Sequence, residues 1–457
     1  MQAGTVQKLI SIFNQSFLEM GVSVSLEKLE DLAVTIHRAM TVQARHFHNL
    51  EHVFAFVDAA DPIRTMAALY HDVVYYQVDM GFTPQIWDLV SPYLREEEND
   101  DGDDEFFIVD ELPYNERLFM LTLDVFNLHR SQKLLPATLN EFLSALVMNK
   151  QLSGLVREKD LLCMTLCIEA TIPFRGLAAD GKTHFEIMEE RLQEISDRYG
   201  LALTQHELIE TIKIAVTFAN KDIENFAEPN PDHFLDNTWK LLPETNAALR
   251  TPDVYSISAY RQALQKMLIF LLGLNPDFIF NQYRGVPSDE DYRLMSHYAR
   301  NNIIIGREYL RLKILETAIL EALAKATGGD APLSLFVGDL PREGVNIKRL
   351  EYFLPDIAEP AWVDHNSVMY HLLAAGRSSD TSFDMKNSPL SLFIYKVMSP
   401  EKTAAACSRA AAFFEGRVSP HEFLMEFDPA VIQPIARASS IMVFTRRQAL
   451  LAYAGEN

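Results

Sequence analysis

Cysteine is scarce in this chain. Three residues, Cys163, Cys167 and Cys407, are too few for a disulfide framework. Cys163 and Cys167 stand four apart in the apolar run Leu-Leu-Cys-Met-Thr-Leu-Cys-Ile, so they are expected as reduced core residues. Long apolar runs are missing too. The longest, residues 267–272, falls far short of the roughly 20 residues that cross a bilayer. The N-terminus lacks a basic segment leading into an apolar core, so no secretory leader is expected. Positive charge is also short: 41 Lys and Arg face 63 Asp and Glu, a formal charge of −22. Such a surface disfavours long nucleic acids and anionic membranes, and leaves room for a local pocket for a small phosphorylated molecule. A soluble cytoplasmic protein is expected. Convincing period-2 strands are scarce, and no internal repeat is evident.

What the chain does have is helical periodicity. Apolar residues make up 48% and charged residues 23%, ordinary for a globular protein whose 457 residues suffice for two or more domains. In residues 25–40, Leu26, Leu29, Leu32, Ala33, Ile36 and Met40 keep one face, with Ser25 placed as N-cap. Thr204 and Glu207 form a capping box before an amphipathic run to Phe218. Residues 310–326 read as a further helix, closed by Gly328-Gly329. These patterns predict an all-α protein. A boundary near residue 250 divides it into residues 1–250 and a mostly helical second domain, 251–457. Residues 95–111 are mostly acidic and read as a solvated loop; EF-hand ligand spacing is absent. Residues 226–251, rich in Pro, Asn and Asp, read as an ordered crossover or a domain boundary rather than a floppy linker, because Phe234, Leu235, Trp239, Leu241 and Leu242 are available to pack.

Chemistry concentrates in residues 45–79. Four of the thirteen histidines fall there: His46, His48, His52 and His71, the last followed by Asp72. His48 and His52 are spaced to share one helical face. Imidazoles and a carboxylate suit a first-row divalent metal, and His52, His71 and Asp72 supply three ligands. A fourth must come from elsewhere in the fold. His-Asn-x-x-His followed by His-Asp-Val-Val-Tyr resembles the HD-domain superfamily of metal-dependent phosphohydrolases. Residues 47–52 are also similar to the signature of the cyclic-nucleotide phosphodiesterases, which share that all-helical core. The resemblance covers roughly residues 25–240; the C-terminal half resembles no family that we recognise.

The resemblance implies a set of roles. The segment 167–175 is similar to the family's threonine-bearing helix end, and the segment 219–225 to the helix that carries a distal aspartate ligand. Asp222 then joins His52, His71 and Asp72 as metal ligand, with Asp124, Asp160 and Glu169 as competing carboxylates. Glu169 is alternatively a general base. One or two divalent ions (Mn, Mg, Fe, Co or Zn) are implied, with Asp72 bridging if there are two. His48 corresponds to the histidine that protonates the leaving oxygen, and a bound ion would activate water for attack. Arg45 and Arg175 are expected to receive substrate phosphate. Asp79, which also falls in the substrate-facing set, is expected as an acceptor for a ligand histidine. His46 is expected to be structural.

The leading expectation is hydrolysis of a small phosphorylated molecule, a nucleotide above others. Two alternatives stand beside it. One is a di-iron oxygenase, for which His129 and His184 would supply the extra ligands. The other is a signalling or interaction protein that uses this fold to bind a ligand. Oligomeric state stays open.

Overall fold

The computed structural model describes residues 4–58, 60–100, 102–111, 116–340, 348–358 and 360–456. The protein is all-α: the described residues hold 21 helices, 65% helix in all, and one two-stranded sheet besides. None of the described helices is long and apolar enough to cross a membrane. The chain forms two compact units, Met1–Glu224 with Asn275–His297, and Asn225–Leu274 with Tyr298–Asn457.

The boundary expected near residue 250 therefore lies at Glu224–Asn225. The stretch read as a crossover is largely helix in the second unit, where Phe234, Leu235, Trp239 and Leu242 are fully buried. Residues 275–297 return to the first unit. There the Asn220 side chain donates to Asn281 O (2.7 Å) and accepts from Asn281 N (2.8 Å), and Tyr283 and Arg284 bind Glu189.

The first unit begins with α1 (Thr5–Glu19), α2 (Leu26–Met40), α3 (Leu50–Phe56), α4 (Pro62–Tyr70), α5 (Tyr76–Asp79) and α6 (Pro84–Val90). A hairpin of β1 (Leu94–Glu98) and β2 (Asp104–Ile108) follows. The unit continues through α7 (Arg117–Phe126), α8 (Pro136–Leu152), α9 (Glu158–Ala170), α10 (His184–Tyr199) and α11 (Gln205–Asp222). Ser25 caps α2 through Lys28 N, and Thr204 with Glu207 forms the capping box of α11, as their side-chain chemistry predicts. α9 is buried along its whole length from Leu161 to Ala170, which suits a helix apolar on every face. Cys163 and Cys167 are buried free thiols on it. α9 packs against both α4 and α11 and so joins segments far apart in sequence.

The acidic stretch is a hairpin rather than a loop. Leu94 pairs with Ile108 and Glu96 with Phe106, and Leu94, Phe106 and Ile108 are buried while the glutamates of β1 are exposed. Phe106 meets the Tyr76 ring at 4.9 Å and the Phe82 ring at 5.4 Å, so its burial offsets the charge on the outer face. Glu97 and Glu105 face each other across the ladder, an unfavourable pairing that Lys133 relieves by binding Glu105 at 2.6 Å.

In the second unit, α12 (Pro231–Thr245), α13 (Ile257–Gly273) and the later part of α14 (Asp289–Thr327) precede seven further helices among the described residues between Leu333 and Tyr453. The Gly- and Ser-containing segment near 376–389 is pinned by buried polar contacts. Asp384 Oδ2 accepts from Trp239 Nε1 (2.8 Å) and the Tyr260 hydroxyl (2.7 Å), and the Arg377 guanidinium lies 4.5 Å over the Trp239 ring.

Candidate metal centre

α4 delivers the His-Asp pair. Asp61 caps it and Pro62 opens it, so the helix runs from a fixed start. Residues 66–70 are fully buried, and the Tyr70 hydroxyl donates to Gln151 Oε1 (2.9 Å), which ties down the last turn. His71 is the C-cap residue and Asp72 begins the turn beyond. His71 Nδ1 lies 2.8 Å from Ala68 O. Donation to that carbonyl leaves Nε2 as the free nitrogen of the ring.

α3 delivers His52. Asn49 is its N-cap, and its Oδ1 accepts from Glu51 N (2.9 Å) and His52 N (3.4 Å). The helix therefore starts after His48, so His48 and His52 do not share a helical face as their spacing predicts. His48 comes near by a different route. Its ring stands 5.7 Å from the His52 ring and 4.8 Å from the Tyr75 ring, in the bent segment before the cap.

Asp222 arrives at the end of α11. Its Oδ1 is 3.3 Å from His52 Nε2 and 3.6 Å from His71 Nε2. The two imidazole Nε2 atoms are 3.4 Å apart, and Asp72 Oδ2 is 3.0 Å from His71 Nε2 and 3.7 Å from His52 Nε2. Ligands about 2.1 Å from an ion stand about 3.0 Å apart at a right angle and about 3.4 Å apart at the tetrahedral angle. The observed separations bracket those values. Asp72 Oδ2 is shielded and has no hydrogen-bond partner, although it lies within ion-pair distance of His71. His52, His71 and Asp72 lie close enough together to hold a divalent ion, and Asp222 Oδ1 approaches both imidazoles from the end of α11. The His71 side chain is 1% exposed, whereas Asp72 and Asp222 keep 21% and 18%. One side of the cluster is sealed and the other opens to solvent.

The electrostatics call for positive charge. Burial works against the His71 imidazolium, yet Asp72 and Asp222 more than offset it and hold its pKa well above the usual value. Burial likewise opposes the Asp72 carboxylate, but His71, His48 and His52 bring its pKa down. Asp222 is also lowered: burial raises it, and hydrogen bonds from His52 and His71 prevail. A divalent cation can replace the protons that otherwise neutralise these carboxylates.

The competing carboxylates lie elsewhere. Asp124 binds Arg198 and Tyr199, and Asp160 binds Arg157. Glu169 is buried among Arg175 (2.9 Å), His184 (2.9 Å) and Arg191 (3.5 Å). Burial pushes its carboxyl up, but Arg175 and His184 outweigh that and bring it down to about 2. With its oxygens thus engaged, Glu169 is neither a metal ligand nor poised as a base.

The expected phosphate receptors are corrected as well. Arg45 Nε and Nη2 donate to the two oxygens of Asp79 (2.8 and 2.6 Å), and Nη1 donates to Asp72 O (2.6 Å). Arg45 is buried, so this fork positions the turn at Asp72 and is closed to substrate. Asp79 accepts from Arg45 rather than from a ligand histidine. Arg175 donates to the Glu169 carboxylate and to Glu169 O. Of the two histidines an oxygenase would need, His184 faces Glu169, and His129 is exposed in the connection between α7 and α8.

Sequence reasoning missed α8. Asn140 Oδ1 accepts from Tyr76 N (3.0 Å) and the Ser144 hydroxyl accepts from Val74 N (3.0 Å), so two residues four apart clamp the segment that follows the His-Asp pair. Glu141 lies between them. The residue is half-buried, but its Oε2 is shielded and has no hydrogen-bond partner. Burial, with Asp72 and Asp222 adding to it, pushes its carboxyl up to about 8. The readable signal was three polar residues, Asn140, Glu141 and Ser144, on one side of a helix whose middle is otherwise apolar.

No family model matches the chain, and neither a curated protein nor a solved structure matches it.

Proposed function

We propose that the first unit is a metal-dependent phosphohydrolase of the HD type, acting on a small phosphorylated molecule, with nucleotides as the favoured class. The observation that carries this reading is the approach of His52 Nε2, His71 Nε2, Asp72 Oδ2 and Asp222 Oδ1, with contacts of 3.0–3.7 Å. Those four residues would hold the ion, whose contribution when bound is a water acidic enough to serve as nucleophile near neutral pH.

The chain's own residues do the rest. Ala68 O fixes the His71 ring with Nε2 toward the cluster. Arg45 holds the backbone at Asp72, so the carboxylate does not wander. His48, whose ring stands 5.7 Å from that of His52, would give a proton to the leaving oxygen. Phe56 stacks on His71 at 5.0 Å and keeps water from the sealed side. The open side admits the substrate. The net charge of −22 disfavours a long polyanion there.

The test is phosphate or nucleoside release from a panel of nucleotides, with Mn²⁺, Mg²⁺, Fe²⁺ or Co²⁺ supplied. Turnover that disappears in His71→Ala and Asp72→Ala variants is expected. A chain that binds these metals and turns over none of the panel would overturn the proposal.

A further inference from the structure

The first unit carries a second concave site, and none of the four proposed metal ligands lines it. It is a cleft of about 510 Å³ formed by the end of α3, the start of α4, the end of α11 and the segment 287–295. Small ligands occupy clefts of roughly 300–1,000 Å³. Phe56, Val57, Pro287 and Met295 give it apolar walls, and all but Phe56 are only half-buried. Apolar surface left in a concavity is unfavourable to hydrate, and methionine adapts its shape to what covers it. Phe56 is the buried member and forms a partition next to the metal cluster. Its ring centre lies 5.0 Å from that of His71, 5.1 Å from that of His52 and 5.4 Å from that of Phe218.

The charges around the cleft select its ligand. Arg64 is held by two carboxylates, Asp58 (2.8 Å) and Asp61 (2.7 Å), and Lys221 by Glu224 (2.5 Å). Three carboxylates thus face two cations, a surplus of one negative charge. An incoming anion would have to draw a guanidinium or an ammonium away from carboxylates already bound to it. An incoming cation meets no such cost. The Asp58 and Glu224 side chains remain 43% and 50% exposed, so each carboxylate can accept a further donor. The chain's formal charge of −22 acts in the same direction.

We propose that this cleft binds a small organic monocation. Asp58 and Glu224 receive its primary ammonium, and its apolar body lies against Val57, Met295 and the edge of Phe56. The Phe56 ring then carries the ligand's presence to His52 and His71, so occupancy of the cleft shifts the affinity of the metal centre. His48, His52, Asp72 and Asp222 are absent from the lining, so the ligand is an effector and not a substrate. The binding site stands without the phosphohydrolase reading; its coupling rests on the metal centre of that reading.

The experiment uses the full chain and two probes of similar shape and opposite charge, benzylamine and benzoate. Their binding is followed by ligand-observed NMR titration in the presence of a chelator. Benzylamine should bind about tenfold tighter than benzoate. Met295→Trp fills the cleft, and Glu224→Gln removes the surplus charge at an exposed position, where folding is not at stake. Each should weaken benzylamine by about fivefold or more. Benzoate binding as tightly as benzylamine, no binding of benzylamine, or an affinity unchanged in both variants overturns the site. Mn²⁺ titrations with and without saturating benzylamine read the coupling. Mn²⁺ affinity should shift by about threefold or more, benzylamine affinity should shift by the same factor when Mn²⁺ is bound, and Met295→Trp should abolish both. An unshifted Mn²⁺ affinity overturns the coupling and leaves the site. A chain that takes benzylamine in this cleft and binds no Mn²⁺ overturns the metal centre and leaves the site. A chain that shows both shifts and hydrolyses no phosphorylated compound overturns the phosphohydrolase and leaves this inference whole.

Discussion

Replacing Arg45 by Met separates a positioning role from a substrate-binding one. The Arg45 side chain is 0% exposed and its partner Asp79 is 10% exposed. Methionine matches the length of the stem but leaves the Asp79 carboxylate buried without its two donors, and leaves Asp72 O without Nη1. Removing one partner of a buried ion pair costs about 3–5 kcal/mol. For a unit of this size that lowers the melting temperature by on the order of 10 °C. Calorimetry of the chelated full chain should show the loss. A second change, Asp79→Leu, takes away the stranded charge, so the double variant should recover more than half of it. Mn²⁺ affinity should fall about tenfold in Arg45→Met, because the turn at Asp72 has lost its anchor. The contrary result is clear. A variant that melts within about 3 °C of the wild type, binds Mn²⁺ normally and raises KM for a phosphorylated substrate tenfold would return Arg45 to phosphate binding and refute the closed fork.

The remaining predictions concern the two other carboxylate sites. Asp222→Asn should weaken Mn²⁺ binding by about a hundredfold, while Asp124→Asn and Asp160→Asn, whose carboxylates serve Arg198 and Arg157, should leave it unchanged; equilibrium dialysis decides, and equal losses in all three would remove Asp222 from the set. Glu169 titrates at about 2 in the fold and near 4.5 when unfolded. A depressed carboxylate stabilises above its unfolded value and loses that contribution as pH falls through the folded one, so about 3 kcal/mol should vanish between pH 4.5 and pH 2. Glu169→Gln should be less stable at pH 7 and should flatten that part of the acid limb in urea titrations; an unchanged limb would refute the buried charge cluster.

The parts that were legible were those set by near neighbours. Ser25 and the Thr204–Glu207 box are chemical caps, and such caps act within one helical turn. The helical periodicity around Leu29, Leu32 and Ile36 needs nothing beyond its own segment. His52, His71 and Asp72 were visible because their residue types are rare together. The acidic hairpin was hidden by composition: the charges of residues 95–105 outnumber the buried Phe106 and Ile108 that anchor it. Arg45 and Arg175 were misjudged for another reason. A guanidinium reads the same in sequence whether it waits for phosphate or is taken by a carboxylate, and Asp79 lies 34 residues from Arg45.

That distinction bears on the candidate site itself, because whether a buried group has a partner depends on three dimensions. Asp222 sits in the last turn of α11, where the helix dipole disfavours a carboxylate. His71 closes α4 next to two carboxylates, and Glu141 holds an unpartnered oxygen in the shade of α8. Burial opposes each charged form, and both His71 and Glu141 respond to Asp72 and Asp222. A fold selected for stability alone would scatter or repair such defects. Their convergence is the physical motive for the proposed metal site, and Glu141, ordinary in sequence, is seen to respond to the same two carboxylates only in the fold.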